Sequence, residues 1–190
     1  YVKNPSARDK NAGLYQPRLT GVKRWTGGQA FQSVLKVEFS VPKLLYGNNL
    51  EEVEEKDFPL VIETLRSRLF RMGVVISVAD LETAAVTVFH PSKNIVLTNG
   101  YTASLVMKEL AKINLNQKFD LSKTSFRNDG QSLQGYTVAH SVVFYDKIAD
   151  LAQSKKRAID KDQTSEQLSL FSELKKDHPS LEVLRLEIRI

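Results

Sequence analysis

The chain has 190 residues, 42% hydrophobic and 26% charged, with 27 Lys and Arg against 22 Asp and Glu and a formal net charge of +5. That suits one globular domain with a sizeable core, and no apolar run approaches the roughly 18 residues that cross a bilayer, so no membrane partner is expected. The absence of cysteine excludes disulfides, thiolate metal sites and a cysteine nucleophile, while the basic balance, with an isoelectric point of about 9.3, favours a polyanionic partner.

Tyr1-Val2-Lys3-Asn4-Pro5 has neither an initiating Met nor an apolar signal core and reads as an internal start. Residues 1–29 are polar and Gly-rich, and Arg24-Trp25-Thr26-Gly27-Gly28 reads as a turn between two strands. Val34–Val41 alternates as a strand, with Leu35, Val37, Phe39 and Val41 on one face and Lys36, Glu38 and Ser40 on the other. Pro42 ends that ladder. The spacing of Leu60, Val61, Leu65 and Leu69 predicts a helix over 57–71, with Pro59 in its first turn and Gly73 beyond its end.

Val74–Phe89 is β-branched and reads as a bent strand or hairpin arm. His90–Asn94 reads as a turn and Ile95–Leu97 as a short strand. Thr102–Ile113 has the period of an amphipathic helix. Phe119–Phe126 reads as a strand, Asn128-Asp129-Gly130 as a hairpin turn, and Leu133–Lys147 as one long strand. Residues 148–178 read as a charged helical excursion containing Lys155-Lys156-Arg157. Leu181–Ile190 alternates as a last strand, and because the chain stops inside it both ends read as truncated. The class expected is α+β: a mainly antiparallel sheet with two helices packed on one face, forming a single domain over 1–190. Its other face would gather Lys36, Glu38, Tyr145, Lys147, Arg185, Glu187 and Arg189.

Three constellations on that face bear on chemistry. In Val143-Phe144-Tyr145-Asp146-Lys147 a strand would set a phenol and an ammonium about 7 Å apart on one side. A phenolate can attack a phosphodiester, and a nearby cation lowers the phenol's pKa from about 10; packing of a strand tyrosine explains the same residues without chemistry. The acids Glu38, Asp80 and Glu187 could hold Mg2+ or Mn2+ from strand-like segments, or could be surface charge and cross-strand ion pairs. Lys43, Lys93, Arg185 and Arg189 are expected near strand ends or on that face, where phosphates would run if the active site is there. His90, His140 and His178 are too far apart in sequence for a histidine metal motif, and His140 falls opposite Tyr145 by alternation. There is no phosphate loop, no Gly-x-Ser-x-Gly elbow and no dinucleotide fingerprint, which disfavours ATP hydrolysis, esterase chemistry and NAD binding.

The order Val37-Glu38-Phe39-Ser40 with Pro42-Lys43 and Gly47-Asn48, then Ile76–Asp80, then Phe144-Tyr145-Asp146-Lys147, then Leu184–Arg189 resembles the rolling-circle replication initiators of filamentous phages, the gene-II type, and their plasmid relatives. The resemblance spans about residues 30–190, and it rests on the order and spacing of short motifs. It implies a replication-initiator or relaxase-like fold and site-specific, metal-dependent nicking and rejoining of one DNA strand. Tyr145 would form a 5′-phosphotyrosine, with Lys147 beside it. Glu38, Asp80 (or Glu82 in its place) and Glu187 would hold Mg2+ or Mn2+, although the paired histidines of the broader HUH endonucleases are missing. Single-stranded or supercoiled origin DNA would be the substrate, the host replication helicase and polymerase the partners, and the bacterial cytoplasm the location. A non-catalytic nucleic-acid-binding domain is the alternative, and a structural α+β domain with incidental charge a third.

Overall fold

The computed structural model describes residues 2–3, 6, 8–9, 12, 14–28, 31–113, 124–127, 130–154, 173 and 176–190. They divide into two compact units, one up to Ala84 and one from Ala85 onward. Every strand pairing among the described residues is antiparallel, so the expected α+β class holds, but the strands form two sheets rather than one.

The first unit pairs β1 (Val2–Lys3), β2 (Arg18–Trp25) and β3 (Phe31–Glu38) in that order. Gly27 and Gly28 take φ of 86° and 61° where β2 turns back, a conformation that other residues adopt at a cost. β3 ends at Glu38, and Val41 opens the short helix α1 (Val41–Tyr46), with Pro42 in its first turn and Gly47 (φ 72°) closing it. The ladder therefore stops before Pro42 is reached, and the proline starts a helix instead of ending the strand. Helix α2 (Phe58–Arg71) follows the predicted period: Val61, Ile62, Leu65 and Leu69 are buried, while Leu60 points to solvent. Val61, Leu65 and Leu69 pack with Leu44, Leu19 and Tyr15 as the unit's core, each side chain contributing roughly 1.5–3 kcal/mol by leaving water.

Val74–Phe89 is not a strand. Ser77 accepts a hydrogen bond from the Asp80 N–H and caps helix α3 (Val78–Glu82), a Ser-x-x-Asp start that the β-branched neighbours obscure.

The second unit is a five-stranded sheet in the order β4-β8-β7-β6-β5: β4 Ser92–Leu97, β5 Ser125–Arg127, β6 Ser132–Tyr136, β7 Ser141–Asp146 and β8 Glu182–Arg189. The long strand expected over 133–147 is a hairpin. The Thr137 hydroxyl accepts the N–H groups of Ala139 and His140 and donates to the His140 carbonyl, so the chain reverses without a Gly or Pro. Val138, apolar but fully exposed at the bend, hides the turn in the sequence. Helix α4 (Ala103–Lys112) is capped by Thr102 and anchored to β8 through the Glu182 carboxylate, which accepts the Ala103 N–H. Its Ala103 and Met107 bury against Leu133 and Leu184, with Phe144 alongside. The two long helices thus cover different sheets. Helix α5 (Lys147–Ser154) begins where Asp146 accepts the Ala149 N–H, so the excursion expected at 148–178 starts as a helix. Lys155-Lys156-Arg157, most of Phe119–Phe126, and Asn128 with Asp129 lie outside the described residues.

Candidate functional site

The face of the five-stranded sheet opposite α4 is polar, and the strand register builds it row by row. Tyr145 stands across from Arg185 on one side and Ser132 on the other, and Arg185 stands across from Asn94. In the next row Val143 lies between Gln134 and Glu187, and Glu187 faces Ser92. Ser141 then lies between Tyr136 and Arg189. The alternation along 181–190 and around Tyr145 therefore predicts correctly that Tyr145, Arg185, Glu187 and Arg189 share one face.

Glu187 joins these groups. Its Oε2 accepts from the Tyr145 hydroxyl at 3.4 Å and its Oε1 pairs with Arg189 Nε at 2.8 Å. Arg185 lies down along the sheet: its Nη1 donates to Asn94 Oδ1 at 3.1 Å and its Nη2 to Ser92 Oγ at 2.7 Å. Ser92 and Asn94 escape a motif search because neither is chemically reactive, yet their i, i+2 spacing next to the polar face is the trace they leave.

The Tyr145 phenol is held well above its usual pKa. Burial is the largest cause, the Arg185 charge opposes it, and the Glu187 and Asp150 charges and the hydrogen bond to Glu187 add to the rise. Lys147 does not play the part expected of it. It stands at the start of α5, not on the strand, and only 2% of it is exposed. Its ammonium pairs with Asp150 at 3.0 Å and sits 5.8 Å from the Tyr145 ring centroid, an arrangement that packs against the ring rather than bonding to the hydroxyl. The cation that favours the phenolate is Arg185.

The remaining expected residues stand elsewhere. Glu38, at the end of β3 in the first unit, pairs with Lys36 at 3.1 Å and lies 3.9 Å from Arg18 Nε. Asp80 is an exposed first-turn residue of α3 whose carboxylate accepts from the Ser77 hydroxyl. Glu82 is exposed at the end of the same helix. Lys43 is buried in α1, where it lines a cavity of about 260 Å3 with Arg68, Tyr15 and Tyr46, instead of standing at an open strand end. Lys93 is exposed on β4 across from Leu186, which puts it on the opposite side of the sheet from Tyr145. His140 lies in the β6–β7 turn, and His90 Nδ1 accepts the Ile190 N–H at 3.4 Å.

Among the described residues no group of three or more His, Asp or Glu side chains converges as a metal site. A divalent cation takes several oxygen ligands. Glu187 is the one acid in the three rows described, and its oxygens already meet a phenol and a guanidinium. This face alone does not fit Mg2+ or Mn2+. Arg185 and Arg189 bring the charge that attracts an anion such as a phosphodiester, while the Glu187 carboxylate opposes it and both guanidinium groups already donate within the sheet. No helix among the described residues is long and apolar enough to cross a membrane. Compared with protein-family models, curated proteins and solved structures, the chain matches none.

Proposed function

We propose that this chain nicks and rejoins single-stranded DNA through a 5′-phosphotyrosine on Tyr145, as an initiator of rolling-circle replication. One observation supports the reading above others: a phenol on a sheet face, across from Arg185 and hydrogen-bonded to a carboxylate that in turn pairs with Arg189. In the reaction the Tyr145 oxygen bonds to phosphorus and the P–O3′ bond breaks. The phenolic proton passes to Glu187, and the departing 3′ oxygen takes a proton from solvent. Because burial disfavours a free phenolate, proton removal accompanies attack, the work of a general base. Arg185 and Arg189 neutralise charge on the phosphoryl oxygens.

Of the acids expected to hold Mg2+ or Mn2+, Glu187 alone is on this face and Glu38 and Asp80 belong to the other unit, so no step above is routed through an ion. Action in a bacterial cytoplasm with the host helicase and polymerase belongs to the same proposal. The test is to incubate the protein with a random-sequence pool of single-stranded oligonucleotides, with and without Mn2+, and to resolve covalent adducts on a denaturing gel. Wild type should form an adduct and Tyr145→Phe should not. An adduct that survives Tyr145→Phe makes Tyr136 or another phenol the nucleophile. Binding without any adduct leaves a non-catalytic nucleic-acid-binding domain.

A further inference from the structure

The β2–β3 hairpin extends beyond the core of its unit. Leu19 is buried and its partner Val37 half-buried, but every described residue from Val22 to Gly28 and from Phe31 to Lys36 is exposed. A two-stranded ribbon open on both sides is marginal in water. Its sequence nevertheless places large apolar groups there: Val22, Val34 and Leu35 are each at least 40% exposed. At its far end Trp25 and Phe31 face each other across the strands, 55% and 65% exposed, their ring centroids 4.7 Å apart at an interplanar angle of 68°. An edge-on pair leaves a ring face open for a third planar group.

The charge around the rings has one sign. From Leu19 to Val37 the chain contains Lys23, Arg24 and Lys36 and no Asp or Glu. Lys36 turns toward Glu38 at the base of the hairpin, which leaves Lys23 and Arg24 as the cations next to the rings. Strand alternation puts Lys23 on the same face as Trp25, about 7 Å away, and Arg24 on the other. Exposed aromatics interleaved with cations match a chain of flat bases on a polyanionic backbone, and a base must be unpaired to stack on a side chain.

We propose that the hairpin tip is a binding site for single-stranded nucleic acid, with bases stacked on Trp25 and Phe31 and phosphates against Lys23 and Arg24. The site requires no chemistry at Tyr145 and stands or falls separately from the nicking reaction.

Trp25 is the chain's single tryptophan, so intrinsic fluorescence reports on the tip alone. The probe is an oligothymidylate of about 20 nucleotides, added to the full chain and to its Tyr145→Phe form. Fluorescence should be quenched in both, because neither stacking nor phosphate contact needs the phenol. Affinity read by anisotropy of a labelled probe should fall about five-fold to a hundred-fold in Phe31→Ala and Trp25→Ala, and far less in Trp25→Phe. A Lys23→Gln, Arg24→Gln variant should reduce the logarithmic salt slope by about 1.4. Circular dichroism checks that each variant keeps its fold, and Trp25→Phe retains an aromatic tip if the alanine variants do not. Unchanged affinity in Trp25→Ala and Phe31→Ala overturns the proposal. So does quenching that follows protein concentration or anionic vesicles but not the oligonucleotide, which would assign the tip to a second copy of the chain or to a lipid surface.

Discussion

Replacing Glu187 by Gln keeps the shape of the side chain and removes its charge, and the structure separates the consequences. Glu187 is 19% exposed at its side chain and Arg189 47%, with 2.8 Å between Oε1 and Nε. Such a pair lies between exposed ion pairs, at about 0–1 kcal/mol, and charged hydrogen bonds, at about 1.5–3 kcal/mol. The bond from Tyr145 is long at 3.4 Å and adds little, and a glutamine oxygen still accepts from Arg189. The expected loss of stability is about 1 kcal/mol, near a factor of five in the folded ratio. The phenol should titrate lower than in the wild type, because the Glu187 charge and hydrogen bond both raise it, yet stay above 10.0 because burial remains. Arg185→Gln should move it further up. Tyrosinate absorbance, taken as the difference between each variant and its partner carrying Tyr145→Phe, isolates this one phenol among the six. If Glu187 takes the phenolic proton, adduct formation in Glu187→Gln should fall about 100-fold to 10,000-fold. A well-folded Glu187→Gln protein that forms adduct within about three-fold of wild type would refute that role. A wild-type phenol titrating at its ordinary value would refute the electrostatic argument beneath it.

Alkali should weaken the fold through Tyr145. Between 10.0 and its higher folded pKa the native chain keeps a proton that the unfolded chain has lost, so stability is full below about pH 10 and declines above it. Urea denaturation at about pH 8 and about pH 11 should show a larger drop for wild type than for Tyr145→Phe, and equal drops would count against the buried phenol. Lys147→Met should cost under about 1.5 kcal/mol or stabilise, since Asp150 is 45% exposed and can return to water; a loss of 3 kcal/mol or more, by the same assay, would mean that the ion pair holds α5. Leu69→Ala and Met107→Ala, both at fully buried positions, should each cost about 2–5 kcal/mol. Limited proteolysis should then cut first in the unit that contains the substitution, and a cost under about 1 kcal/mol would contradict the packing described.

The sequence is legible where one period runs unbroken and the residues that stop it are conventional. Helix α2 is the clear case: a 3.6-residue stripe with Pro59 at its start and Gly73, at φ 83°, just past its end. Strand β8 is another, because Leu184, Leu186 and Ile188 alternate with Arg185, Glu187 and Arg189 over its last six residues. Errors arise where short polar side chains do the stopping. Thr137 folds a turn into an apolar run, Asp146 opens a helix at the end of a strand, and Ser77 caps a helix among β-branched residues. Each acts through a hydrogen bond from one side chain to nearby backbone, which hydrophobic periodicity does not register. The division into two sheets is illegible for a different reason. Alternation gives the face of a strand but not the sheet it joins, so Glu38 and Glu187 look like members of one surface until the pairings are known.

The misreading at residue 147 bears on the chemistry as well as on the fold. Had β7 continued, Lys147 would stand two residues from Tyr145 on the polar face, and a phenol activated by a lysine would follow. Asp146 ends the strand one residue earlier, and Lys147 is drawn inward to Asp150 and the ring of Tyr145. What faces the hydroxyl is then a carboxylate, which favours the phenol with its proton on and, in the proposed reaction, would accept that proton as a bond to phosphorus forms. Under the proposed reaction, a phosphodiester held by Arg185 and Arg189 would then be needed before the phenol could react. Tyr145 in this setting keeps its proton at neutral pH, and on the proposed reading that restraint would suit a nucleophile that cuts one strand and later rejoins it.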